Sequence, residues 1–120
     1  VSARNRRAIR LVAGLAAVPI AWGVADASRE LSDAHTAYGR MHDLLWRRGA
    51  SQDELRRTAQ RSLGWPLGDP HEAFLVLGSI GTRESIPAIR ARLRWRPSGP
   101  FAPCTWGHGD EALERIVTRS

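Results

Sequence analysis

The stretch Asp69–Trp95, DPHEAFLVLGSIGTRESIPAIRARLRW, constrains the fold more than any other. It reads as two short helices around a tight turn. Asp69 is an N-cap candidate, Pro70 suits the first helical position, and Glu72 completes a D-x-x-E capping box. Phe74, Leu75, Val76, Leu77 and Ile80 then make a helix that is apolar on nearly every side. Such a helix must be buried on several sides. Gly81 stands where a left-handed C-cap is expected, and Ser85 is placed to cap a second helix with Pro87 in its first turn.

The second helix carries two apolar faces. Ile86, Ile89 and Leu93 share one, and Ala88, Ala91 and Trp95 share the opposite one. Arg90 and Arg94 lie between them on one side, Arg92 and Arg96 on the other. Two apolar faces predict neighbours on both sides, which is the pattern of a stacked helical repeat.

The run FLVLGSIG followed by TRESIPAIRARL resembles a HEAT-like repeat of the class first named from phycobilisome lyases. The later segment CTWGHGDEALERIVTR is similar to the first helix of a following unit. Glu72-Ala73-Phe74 and Leu77 align with Glu111-Ala112-Leu113 and Ile116 at an offset of 39 positions, within the HEAT period. The resemblance covers about residues 65–118. It implies an all-α chain, a short HEAT-like or armadillo-type solenoid preceded by an N-terminal apolar helix. The competing architecture is an ordinary helical hairpin in a small bundle. The expected divisions are 1–27, a signal peptide or membrane anchor; 28–64, a helical pair; and 65–120, the repeat region with its second repeat incomplete.

Residues 1–27 join a basic segment (Arg4, Arg6, Arg7, Arg10), the uncharged run Leu11–Ala25 and an A-x-A pattern at Ala25-Asp26-Ala27. That is the layout of a secretory signal peptide. As a helix the uncharged run spans about 22 Å, short of the ~30 Å hydrocarbon core. Adding Ala8, Ile9 and a snorkelling Arg10 lengthens it to a marginal anchor. Membrane association through residues 8–25 therefore stands beside export, with the basic flank on the cytoplasmic side. A core helix of a cytoplasmic protein is the alternative. Val1 in place of Met reads as a fragment or an alternative start codon.

Residues 28–49 have the stripe Leu31, Ala34, Tyr38, Met41, Leu44 and Leu45, which predicts an amphipathic helix capped by Ser28 and ended by Gly49. Ser51-Gln52-Asp53-Glu54 is a capping box that opens a third helix through about Leu63. Trp65 is expected to lie as a lid on the first repeat helix. Residues 96–105, RPSGPFAPCT, form an irregular connection with Phe101 as its one large apolar group. A final helix near 107–118 carries Ala112, Leu113, Ile116 and Val117. Its partner helix is missing, so that stripe needs a cap from other helices, another chain or further sequence.

The charge is +6, and all 18 basic residues are Arg. Beyond Ala27, fourteen Arg face eleven acidic residues, a net +3 with the signs interspersed. That is a mixed solvated surface, not a nucleic-acid face. A class of HEAT-like proteins that removes alkylated bases along a basic concave face is disfavoured on this ground. Cys104 is the single cysteine, so neither an intramolecular disulfide nor a Cys-based zinc site is available.

No Ser-His-Asp elbow, P-loop or dinucleotide fingerprint is present. The deoxyhypusine hydroxylases, HEAT-like enzymes with paired His-Glu motifs around two irons, supply one enzyme comparison. Here His71-Glu72 matches one such pair, His108 and Glu111 stand three apart instead of adjacent, and two pairs are absent. No catalytic, cofactor or metal residue is therefore assigned, and a lyase-type or His/Glu metal-dependent enzyme is the alternative. The sequence reading is a non-catalytic protein-interaction or scaffold module, exported or tethered at a bacterial-type membrane. Its partner is another protein, with no nucleic acid and no small-molecule substrate. Arg90, Arg94, Trp95 and Phe101 are the candidate contact residues.

Overall fold

The computed structural model describes residues 3–97 and 104–120. Among the described residues the chain is all-α, with no strand. Its elements are α1 (Ala3–Trp46), α2 (Gln52–Ser62), α3 (His71–Ile80), a 3-10 turn (Arg83–Ser85), α4 (Ile86–Leu93) and α5 (Thr105–Arg119). Two compact units emerge, Val1–Glu30 and Leu31–Ser120.

The first unit is helical from Ala3 onward, and its large apolar side chains are exposed. Leu15 and Val18 are each 69% exposed and Trp22 is 77% exposed. This helix has the length and composition to cross a membrane, and it has the N-terminal position of a signal sequence. The expected boundary at Ser28 is not a helix start. Ser28 lies inside α1, because Asp26 through Glu30 offers neither a glycine nor a proline to interrupt the backbone bonds. Pro19 also sits within the helix and removes one amide donor without ending it.

In the second unit the core gathers on α3. Phe74 and Leu77 are 0% exposed, and Met41, Ala59, Leu63, Ile89, Ala112 and Ile116 pack around them. The helix is buried on several sides, as its apolar composition requires, although Leu75 remains exposed. Helix α3 packs against α5 and α2. The approach of α5 depends on small residues. A Cβ on Gly109 would stand 2.7 Å from Leu93 Cδ2 and 3.0 Å from Phe74 Cζ, so any side chain there would push the helices apart.

Several local expectations are replaced by other solutions. Helix α3 begins at His71, after Pro70, and has no side-chain cap on its first amides. The Asp69 carboxylate instead accepts from the His71 amide at 3.0 Å, an Asx turn that leads into the helix. Gly81 is not left-handed; it is extended, with φ −64° and ψ 154°. Its lack of a side chain matters for space, because a Cβ there would run into the backbone carbonyl of Leu77 and meet Ile116 Cδ1 at 2.8 Å. The left-handed glycine is Gly49 (φ 81°), which follows the end of α1 at Trp46 by three residues. Ser85 closes a reciprocal box with Thr82 around the 3-10 turn, ahead of α4. It is fully buried, accepts from the Thr82 amide at 3.1 Å and donates to Gln60 Oε1 at 2.7 Å.

Half of the capping box expected at Ser51 forms. Its hydroxyl accepts from the Glu54 amide at 3.0 Å, while the Glu54 carboxylate turns to Arg40 at 3.1 Å. Helix α5 carries Ala112 and Ile116 into the core at 1% exposure each, with Leu113 half-buried and Val117 left exposed.

Candidate functional site

Helix α4 has one face in the core. Ile89 is fully buried, and Ile86 and Leu93 are partly buried against it. The opposite side departs from the two-faced expectation. Ala88 still touches the core, but Ala91 is exposed and Trp95 is 75% exposed. Among the described residues nothing covers them. The polar flank differs as well, because Arg92 is buried at 6% exposure.

Arg92 fixes the connection that precedes α3. Its Nη2 donates to the Gly68 carbonyl at 2.6 Å and the Pro66 carbonyl at 3.2 Å, and its guanidinium lies 5.4 Å from the centre of the Trp106 ring. Burial pushes this guanidinium below its ordinary value, while Asp69 and, after it, Tyr38 pull the other way. Its Nε has no protein partner. The cost of burying the charge is offset by the two carbonyls and the indole face. Arg92 therefore holds the back of α4 and leaves the front to the side chains that point outward.

Those outward side chains are Pro87, Arg90, Ala91, Arg94 and Trp95, all exposed. Arg90 and Arg94 are one turn apart, as are Ala91 and Trp95. Three of the four contact candidates thus share one exposed surface. Phe101 falls outside the described residues. Sequence periodicity placed the arginines beside an Ala91–Trp95 stripe expected to be covered; the stripe is exposed, so the two form one surface. Arg96, by contrast, is engaged with Asp110 at 2.8 Å.

The histidines form a second cluster. His71 and His108 stand edge to face, with ring centres 4.9 Å apart, which brings α3 and α5 together at the pair that the metal alternative would use. The carboxylates do not converge there. Glu72 pairs with His42 at 3.5 Å, and Glu111 pairs with His108 at 3.6 Å and with Arg115 at 2.7 Å. Among the described residues no group of three or more His, Cys, Asp and Glu side chains is placed to hold a metal ion. The donor set therefore does not fit a di-iron centre, which needs converging imidazoles and carboxylates. His71 Nδ1 is buried without a protein hydrogen-bond partner, beside a cleft of about 380 Å³ that is also lined by Tyr38, Asp69 and Glu72. Sequence reading missed this cleft, because its walls come from α1 and the 69–72 turn, far apart in the chain. Trp65, expected as a lid on α3, has its ring against His35 of α1, at 4.5 Å between centres.

No protein-family model, curated protein or solved structure matches this chain.

Proposed function

We propose that this protein is a non-catalytic protein-interaction module, exported across or tethered to a membrane by residues 8–25, with a HEAT-like repeat over residues 65–120. The observation that carries the interaction reading is the exposed front of α4, where Trp95 at 75% exposure stands beside Arg90 and Arg94. Tryptophan and arginine are the residues most enriched among interface anchors. A helix held rigidly from behind by Ile89 and Arg92 presents them without having to order itself on binding.

Two further features support the reading. Two of the pairs aligned 39 positions apart match in burial: Ala73 and Ala112 are each 1% exposed, and Leu77 and Ile116 are 0% and 1% exposed, whereas Phe74 is buried and Leu113 only half-buried. That equivalence is what two successive first helices of a repeat share. The exposed apolar side chains of the first unit support the tether, because side chains of this size at 62–77% exposure favour a lipid or protein environment over water.

A photo-crosslinking residue placed at Ala91 of the full chain in cells tests the interaction. Discrete protein adducts are expected at position 91 and not at position 57 on α2. Absence of any protein adduct at 91 would remove the proposal.

A further inference from the structure

The exposed front of α4 carries unpaired positive charge beside an exposed aromatic ring, as does the end of α1, where exposed Trp46 precedes Arg47 and Arg48. From Ser85 to Gly109 the sequence contains no acidic residue, yet it places arginines at 90, 92, 94 and 96. Two of them are occupied: Arg92 by the Pro66 and Gly68 carbonyls, and Arg96 by Asp110. Arg90 and Arg94 are exposed, and neither has an acidic or carbonyl partner among the described residues. Helix α2 offers the informative contrast. Its exposed Arg57 and Arg61 share a helix with Asp53 and Glu54, and no aromatic residue lies on it.

We propose that Arg90, Arg94 and Trp95, grouped around Ala91, dock an acidic helical segment of a protein partner. This rests on the interaction-module reading and names the partner's chemistry. Arginines four apart on a helix are spaced by about 5–6 Å at Cβ, which suits two carboxylates one turn apart on a facing helix. Each guanidinium can take a carboxylate through two parallel N–H donors. Ala91 lets the facing backbone come close, and Trp95 supplies a broad apolar plate at the edge of the charge pair. A bilayer surface fits less well, because electrostatic lipid docking draws on clusters of about 4–8 basic residues. A nucleic acid would need a longer run of phosphate contacts than two free arginines provide.

The test uses the purified full chain in detergent micelles. Its probe is a fluorescein-labelled helical peptide with Glu at i and i+4 and Leu between, read by anisotropy. Binding is expected, weakening with salt. Arg90→Glu with Arg94→Glu should weaken it by about tenfold or more, the scale of one charge-assisted hydrogen bond. Trp95→Ala should also weaken it, and Arg57→Glu with Arg61→Glu should leave it within about twofold, the scale of exposed ion pairs. Unchanged thermal unfolding of the Arg90/Arg94 variant would confirm an intact fold. Equal binding of a Gln-for-Glu peptide, an equal loss in the Arg57/Arg61 variant, or tighter binding of an oligothymidine or of phosphatidylglycerol vesicles through the same arginines would each overturn the proposal. The adduct at position 91 separates the two levels. A neutral or basic crosslinked partner segment overturns the acidic chemistry and leaves the interaction module standing, whereas no adduct removes both.

Discussion

The run Leu11–Ala25 and helix α3 are both apolar nearly all round, and they meet opposite fates. In α3, Ala73, Phe74, Val76, Leu77 and Gly78 are buried by α2, α4, α5 and Met41 of α1. In the N-terminal run, Leu11, Val12, Leu15, Val18, Ile20, Trp22 and Val24 are each more than 60% exposed. Composition alone does not separate them. What separates them is the provision for neighbours. Around α3 the chain supplies small residues where helices must touch, Gly109 and Ala112 on α5 and Gly81 at the end of α3. It also supplies polar fixtures that close the surroundings, Ser85 to Gln60 and Arg92 to the 66–68 carbonyls. Among the described residues of its own unit the N-terminal run meets no second helix, and its apolar side chains stay exposed.

The largest effect is expected at Phe74. Phe74→Ala empties the centre of the second unit and should cost about 3–5 kcal/mol in denaturant unfolding. A loss well under that would mean that α3 is not the organising core. Gly109→Val tests the small-residue provision. It places methyl groups against Leu93 and Phe74 and should cost about 1–3 kcal/mol, seen as a lowered unfolding midpoint; an unchanged midpoint would show that α5 can stand further from α3. Trp95→Ser should move the midpoint least, within about 0.5 kcal/mol, because its ring touches no core residue. A large destabilisation there would show that the front of α4 is covered in solution.

Much of the second unit was legible in the sequence, because helix periods and caps are local. The burial of α3, the cap at Ser51 and the core positions Ala112 and Ile116 follow from spacing alone. The departures come from three-dimensional crowding, which spacing does not encode. Gly81 looks like a left-handed cap, but it is required by the nearness of the Leu77 carbonyl and of Ile116. Ser85 looks like the cap of α4, but it completes a box with Thr82 and reaches Gln60 across 25 positions. Arg92 reads as a solvated flank, but it turns inward to carbonyls some 25 positions earlier in the chain. Arg90, Ala91, Arg94 and Trp95 stay together on the outside. Ser28 reads as a helix cap, but it starts no new helix, because α1 runs through it without a break.

The proposed tether through residues 8–25 requires the N-terminal apolar run to partition into lipid. The most direct measurement is flotation of the full chain with phosphatidylcholine vesicles in high salt, where the basic N-terminus contributes little. The wild type is expected to float and the Leu15→Glu/Val18→Glu variant to remain at the bottom of the gradient, with both chains unfolding at the same denaturant midpoint. A wild type that stays at the bottom, or a variant whose second unit is destabilised, would contradict the account.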